Sequence, residues 1–389
     1  MISKSIFVLV LLFEFFLVSG CSNTDVKSIE KLNYVSSIGV DYVDGNFHSY
    51  LQLLEFLTVA KTDFGQQSPP KIWIGEGIGL SFEESLFDLY RTSQEKIYWG
   101  HMTAIVISES AIKQGFGNIY DSFVRYYEFR LTPWVYGTRE SVKDIFAISG
   151  FFQQSPLTTI LHEPQGVYSQ NSLIQSVRLH RLISQINEPG FTSCIPTLVV
   201  NNTQWSEKYQ TESKLMIDGA FFLKNDEFRS YIPLEKLNGL RWIQQGTIRA
   251  SIAVPNKEEE DVQMAIDKPK TKLKLVKQGI KPQYNILMKA TGSIISRTND
   301  NLTELQQLTD ETKAAIEQEI REVYQIGVSE RTDILNLEHT LYRSDYEKWK
   351  ALSPEEENLL TENTINDINI DLNITHSSSM KNKRMERSK

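Results

Sequence analysis

What most limits how this chain can fold is its first twenty residues, which read as a segment that never joins the folded protein. Lys4 supplies a positive start, and Ile6 to Phe16 is almost continuously apolar, interrupted by Glu14. The run closes on Val18-Ser19-Gly20-Cys21. A charged start, a short apolar stretch and small residues before a cleavage point make a secretory signal. With cysteine in the last place the pattern is a bacterial lipobox. The Cys21 thiol takes a diacylglyceryl group as a thioether, and small side chains at Ser19 and Gly20 let the peptidase reach the bond. The apolar run is too short to span a bilayer, which takes about 20 apolar residues. Residues 1–20 are therefore expected to be a lipoprotein signal peptide. The remainder is expected to fold outside the cytoplasm, held to the membrane by acyl chains on Cys21.

The tether bears on the core. Of the two cysteines only Cys194 is left once Cys21 carries lipid, so no internal disulfide can form. Stability must come from burial. With 389 residues, 40% hydrophobic and 23% charged, the chain can build two or three domains of about 150 residues each. A net charge of −8 argues against nucleic acid as a partner, since that surface wants a basic face. The basic residues Lys381, Lys383, Arg384, Arg387 and Lys389 collect in a frayed tail, residues 377–389.

Periodicity then divides the chain. Residues 33–56 read as strand, turn and strand about Asp44-Gly45-Asn46, a hairpin signal. A short strand covers 71–75. Gly75, Gly77 and Gly79 are expected to be turn residues, since their spacing fails the dinucleotide fingerprint. Ser81 and Glu84 form a capping box that opens a helix with Phe82, Leu86 and Leu89 on its apolar face. Further helices are expected over 109–127, 139–148 and 167–186, and strands over 102–108, 132–136 and 195–200. Residues 201–213 are polar, aperiodic and read as a linker. Beyond it, 216–223 and 228–232 form a hairpin about Asn225-Asp226, followed by strands over 247–254, 261–276 and 284–296. Leu302, Leu305, Leu308, Ile316, Ile320 and Val323 mark a long helix with Gly327 as its C-cap, and a shorter helix covers 333–346. Residues 367–375 alternate perfectly, as in a half-buried antiparallel strand. The fold class is α+β: a multi-domain chain of mixed and antiparallel sheets packed with helices. Its expected parts are an N-terminal domain at 21–200, the linker, and a C-terminal domain at 214–376 that can divide again near residue 256.

No chemistry-bearing motif stands out. The six histidines, His48, His101, His162, His180, His339 and His376, are scattered. His162-Glu163 could open a zincin helix, but Pro164 follows and no second histidine is in place. There is no nucleophile elbow, no phosphate loop and no cysteine pair for zinc. The reading is a non-enzyme with no catalytic, cofactor-binding or metal-binding residues. Function must then lie in surfaces. Of Trp73, Trp99, Trp134, Trp205, Trp242 and Trp349, most are expected in cores, and Trp205 alone sits in the polar linker. Trp205 is expected at an interdomain or partner surface, where aromatic residues act as anchors.

The order of landmarks resembles that of the Ger(x)C-type germination lipoproteins, the C subunits of spore germinant receptors. It runs over nearly the whole chain. Residues 29–47 read I-E-K-L-N-Y-V-S-S-I-G-V-D-Y-V-D-G-N-F, like the family's opening after the lipidated cysteine. Gly100-His101-Met102 through Glu109 and Gly115 follow its next segment, with echoes at 125–130 and 141–146. Asp218-Gly219-Ala220-Phe221-Phe222-Leu223-Lys224 and Leu234 to Trp242 resemble the opening of the second unit. Thr332-Asp333-Ile334-Leu335 and Trp349 stand near its end. The resemblance implies a non-enzymatic subunit that acts with integral-membrane A and B subunits on the outer face of the inner spore membrane. There the complex senses small nutrients. An alternative is a nutrient-binding lipoprotein of a transporter, which would need two similar lobes of repeated βαβ units. The segments from Leu215 onward read as antiparallel and favour the receptor subunit.

Cys21→Ala removes the thiol that would carry the lipid, so the protein is expected to be mislocalised or left uncleaved. Cell fractionation checks this. A correctly processed Cys21→Ala protein that stays with membranes in cells lacking the A and B subunits would overturn the anchor.

Overall fold

Asp44 and Gly45 take positive φ angles of 49° and 85°, and the hairpin they close begins the larger of two sheets. The computed structural model describes residues 33–54, 71–125, 129–255, 261–276, 279, 281–297, 305–353 and 360–375. The hairpin joins β1 (Asn33–Val43) to β2 (Asn46–Leu54), and β3 (Ile72–Gly79) extends it. After helix α1 (Phe82–Tyr90) come β4 (Ile97–Tyr98) and β5 (Ala104–Ser108), then helices α2 (Glu109–Lys113) and α3 (Phe116–Arg125). The order continues with β6 (Trp134–Thr138), α4 (Val142–Ala147), α5 (Gln165–Gln170), β7 (Val177–Arg178) and α6 (Leu179–Ile186). Two long strands, β8 (Thr192–Glu207) and β9 (Gln210–Lys224), lead to β10 (Glu227–Pro233).

Among the described residues this sheet has ten strands, along the path β10-β9-β8-β6-β5-β1-β2-β3, with β4 and β7 off it. Its centre, β1, β5, β6 and β8, is parallel, and both margins are antiparallel. Central parallel strands are covered on both faces, and so β5 and β6 are buried at every position. On one face α1, α2, α3 and α6 supply Leu86, Ile112, Phe123 and Leu182 to a core with Ile38 and Ile105. On the other, α4 adds Ile145 and Phe146 to a smaller core with Val106 and Tyr136.

The second sheet is built from β11 (Arg249–Pro255), β12 (Asp261–Val276), β13 (Gln283–Arg297) and β14 (Ile365–Thr375). Short helix α7 (Leu240–Ile243) precedes it. Between β13 and β14 run the long helix α8 (Leu305–Ser329), α9 (Leu337–Ser344) and α10 (Tyr346–Leu352). Ile316, Ile320 and Val323 of α8 pack with Ile252, Met264, Ile286 and Ile370 of the strands. The α+β class and its mixed sheets stand.

Several sequence-based expectations change, each for a physical reason. Gly75, Gly77 and Gly79 are strand residues, not turns. A Cβ at Gly77 would fall on the Ser85 carbonyl oxygen, and one at Gly79 would lie 2.5 Å from the Ser85 nitrogen, so they let α1 lie flat on β3. The helix expected over 109–127 breaks at Gly115, whose φ is +116°. The helix expected over 167–186 is interrupted because residues 171–176 bond elsewhere: Ser172 donates its N–H to Arg249 O at 2.7 Å, and its hydroxyl accepts from Ile248 N at 3.0 Å. Residues 201–213 are no linker but the outer part of the β8–β9 hairpin, turned at Lys208 and Tyr209 with φ 49° and 69°. Strands β9 and β10, expected in the second unit, hydrogen-bond into the first sheet. Gly327 lies inside α8. The helix ends in a Schellman motif in which Thr332 N bonds Gly327 O at 2.8 Å and Arg331 N bonds Val328 O at 3.2 Å, with Arg331 at φ 51°. Strand β14 alternates as expected but pairs parallel to β13, because helices α8 to α10 carry the chain back to the end where β13 began.

The close approach at Gly77 gives a test. Gly77→Ala is expected to cost about 3 kcal/mol in urea unfolding, because the clash is with backbone and no side chain can yield. Gly166→Ala, at an open helical position, is expected to stay within about 1 kcal/mol and on the stabilising side.

Candidate functional site

Strand β9 is the structural centre of the site. Ala220, Phe221, Phe222 and Leu223 are all fully buried, yet successive side chains of a strand point to opposite faces. Phe221 and Leu223 enter the core of the first sheet, while Ala220 and Phe222 enter the core of the second. One strand therefore serves as a wall for both units. On the first side Phe221 lies over Gly137 of β6, where a Cβ would collide with its ring.

Lys224 shares the parity of Ala220 and Phe222, so it too points toward the second unit. Its Nζ donates to Glu338 Oε2 at 2.6 Å, with both side chains nearly buried. The other carboxylate oxygen, Glu338 Oε1, accepts from Trp349 Nε1 at 3.1 Å. The start of α9 that carries Glu338 is held by Asp333, whose two oxygens accept from Leu337 N at 3.0 Å and Glu338 N at 2.7 Å. Burial pushes the Asp333 carboxyl up to about 6, against the opposing pull of those two N–H groups; the Glu338 charge raises it further and Lys224 lowers it. Asn336, at φ 57°, completes the joint. Its amide oxygen accepts from Thr192 N at 2.7 Å and its nitrogen donates to Thr192 O at 3.2 Å, so α9 caps the start of β8 as a strand would.

A second polar cluster steadies α7 on α8. Arg241 Nη2 donates to both oxygens of Glu319, at 2.9 and 3.0 Å, and Trp242 Nε1 donates to Oε2 at 2.6 Å. A Cβ on Gly239 would fall on the Glu319 carbonyl oxygen, which explains how the turn comes so close.

Neither cluster has the form of a reacting centre. A buried serine–histidine pairing, Ser37 with His162 Nε2 at 3.5 Å, is part of a closed network. In it His162 Nδ1 faces Thr103 Oγ1 at 2.5 Å, and Gln52 Oε1 faces His162 Nε2 at 3.2 Å and Ser36 Oγ at 2.7 Å. Burial pulls the His162 ring down to about 3, so it stays neutral. Among the described residues no group of three or more His, Cys, Asp or Glu is placed to hold a metal ion. Cys194 lies at the base of the interdomain cleft, where burial pushes its thiol up to about 12.

The expected site residues fare differently. Residues 1–20, Cys21, the break near residue 256 and the tail 377–389 lie outside the described residues. Trp205 stands near the tip of the β8–β9 hairpin, 52% exposed, with its ring edge-on to Phe151 at 4.8 Å. Trp73, grouped with the tryptophans expected in cores, is more exposed still, at 66%. Lys224 and Trp349, which belong to separate motifs, meet on the Glu338 carboxylate, and Asp333 holds the backbone that carries it. Glu338, Glu319 and Asn336 were not foreseen, since an acidic or amide residue on a helix carries no local mark of a distant partner.

The class these observations define is a two-unit α+β protein whose built polar site is a joint between domains. Comparison with known proteins is consistent along the chain. The family model for the spore germination protein N-terminal domain matches residues 25–200, and that for the spore germination B3/GerAC-like C-terminal domain matches residues 217–378. Spore germination protein B3 of Bacillus subtilis (strain 168) is 23% identical over 292 residues, 74% of each chain. The crystal structure of the GerBC protein shares the fold, with a TM-score of 0.51 at 17% identity, over 90% of this chain and 100% of that one. The chain belongs to the GerAC-like family of spore germination proteins, the C-type subunits of germinant receptors.

Glu338→Ala takes away the carboxylate facing a nearly buried ammonium and is expected to cost about 3–5 kcal/mol in equilibrium unfolding. Lys224→Met combined with Glu338→Gln is expected to recover most of that loss. Asp333 adds a pH signature. Its carboxyl titrates at about 6 when folded, above the ordinary value of about 4, so the folded protein binds the extra proton between these limits. Its contribution to stability is expected to fall as pH rises through that window. The stability difference between wild type and Asp333→Asn is expected to drift against wild type by about 2 kcal/mol from pH ~4 to ~6, then level off.

Proposed function

We propose that this chain is a lipid-anchored, non-enzymatic subunit of a germinant receptor. In this reading Cys21 tethers it to the outer face of the inner spore membrane, where it acts with the integral-membrane A and B subunits in the response to nutrients. The observation that carries the reading is the pair of family matches, in order, over both units of one chain. The lipobox at Val18 to Cys21 supports the anchor. The non-enzymatic role is supported by polar clusters whose side chains hold α9 to β9 and α7 to α8. The transporter alternative calls for two similar lobes, whereas the two sheets here differ in size and topology.

Trp205 is proposed as a partner-facing residue, because its hairpin arm extends past the neighbouring strand β6 and leaves half the indole in solvent. Trp205→Ala is expected to weaken receptor assembly in co-purification. Unfolding stability should stay within about 1 kcal/mol, as for a surface change. A loss of several kcal/mol would assign Trp205 to local support of Phe151 instead. The receptor role is tested by deleting the gene in a strain without redundant receptors and germinating spores on single nutrients. At least one response is expected to disappear. Normal responses to every nutrient would overturn the proposal.

A further inference from the structure

The two units leave a cleft of about 880 Å³ between them. One wall is β7 and the exposed face of α6, the other is β12, and Thr192 and Cys194 of β8 lie between. Its charge runs against that of the molecule. The protein carries −8, yet the cleft presents Arg178 and Arg181 on the first wall and Lys272 and Lys274 on the second. Among the described lining residues Glu188 is the one carboxylate, and it faces Arg343 at 3.6 Å. The lysines are not scattered. Lys270, Lys272 and Lys274 alternate along β12, so they share one face of the strand, and all three are exposed. Arg178 is fixed near the opening, its guanidinium 3.9 Å from the Trp134 ring centroid and bonded to Thr132 O at 2.5 Å.

Like charges on facing walls repel, and a recess with low-dielectric walls focuses their field on whatever enters it. The cleft also contains unused polar capacity. Thr192 Oγ1 and Gln185 Oε1 are buried without a hydrogen-bond partner, and Thr192 is only 2% exposed. Buried polar atoms are seldom left so unless something absent from the protein satisfies them. A planar guanidinium and flexible ammonium groups together suit carboxylate or phosphate oxygens. Both residues line the cleft, and a side-chain rotation would let the Thr192 hydroxyl donate to such an oxygen and Gln185 Oε1 accept from a hydroxyl or amine on the same molecule.

We propose that this interdomain cleft binds a small oxyanion, a carboxylate or phosphate compound bearing a hydroxyl or amine, which bridges Arg181 of one unit to Lys272 and Lys274 of the other. The anion would replace repulsion across the cleft with attraction and stiffen the joint made by α9 and β9. This goes beyond the receptor reading and holds or fails independently of it. A free metabolite and a phospholipid headgroup share the chemistry.

The test is thermal unfolding of the full-length chain in detergent micelles, with ionic strength held constant by chloride. Glycerol 3-phosphate and malate are the free probes. Micelles doped with phosphatidylglycerol, compared with phosphatidylcholine, supply the headgroup. A rise in midpoint of about 2 °C is expected at roughly ten times the dissociation constant. A rise with the free probes indicates a soluble ligand, and a rise with phosphatidylglycerol alone indicates a lipid. Lys272→Gln with Lys274→Gln, and separately Arg181→Gln, should abolish the rise, and the midpoint in chloride should stay level or move up slightly as the repulsion across the cleft is relieved. All three positions are exposed, so folding should survive. No shift with any probe, or an equal shift in both variants, would overturn the proposal.

Discussion

Strand β9 has no solvent face along its last turn of sequence, and the rest of the architecture depends on that. A strand buried on both faces must supply apolar side chains to two cores at once, and Ala220 to Leu223 do so in strict alternation. Each fully buried Phe or Leu side chain contributes about 1.5–3 kcal/mol, and here the contribution is divided between units by parity alone. The hairpin that β9 forms with β10 is therefore an edge of the first sheet and a wall of the second core. A slip of register by one residue would exchange the two faces and drive Lys224 into the apolar core of the first sheet.

Lys224 and Glu338 turn this shared wall into a specified joint. Burying an ion pair is a weak source of stability, since the desolvation of both charges offsets most of their attraction. What the pair adds is selectivity. Only one docking of α9 on the end of β9 satisfies the ammonium, both carboxylate oxygens and the Trp349 indole N–H together. Asn336 fixes the same docking a second time through the backbone of Thr192. The two units thus meet through an apolar wall on one side and a satisfied polar lock on the other, with the cationic cleft opening beside them. In a subunit proposed to work within a receptor complex, such a joint would make any force on one unit felt by the other.

Much of the fold was legible in the sequence because its signals are local. Asp44-Gly45, Asn225-Asp226, the Ser81–Glu84 cap and the alternation of residues 367–375 each depend on neighbours in the chain, and each forms the turn, cap or strand expected. The misreadings share one cause. Residues 201–213 lack periodicity because the arm of the hairpin has solvent on much of its surface, so the pattern that marks a half-buried strand is absent. Residues 171–176 gave up a helical pattern for hydrogen bonds to β11, and Gly77 was read as a turn because nothing local reveals that a helix will lie against it. The direction of β14 was equally hidden, since alternation reports which faces are buried and not which way a neighbour runs. For the site, the sequence supplied Lys224, Asp333 and Trp349 as separate motif residues, and only the fold could bring them to Glu338.

The central claim is that β9 makes the two units a single cooperative body. Differential scanning calorimetry of the purified chain tests it most directly, comparing wild type with Phe222→Ala, which removes a side chain from the second core alone. The account predicts one transition for wild type with equal calorimetric and van't Hoff enthalpies, and for Phe222→Ala a single transition moved down as a whole by the loss of about 3–5 kcal/mol. Two resolved transitions in wild type, or a Phe222→Ala protein in which the unit carrying β1 to β8 melts at its original temperature, would contradict it.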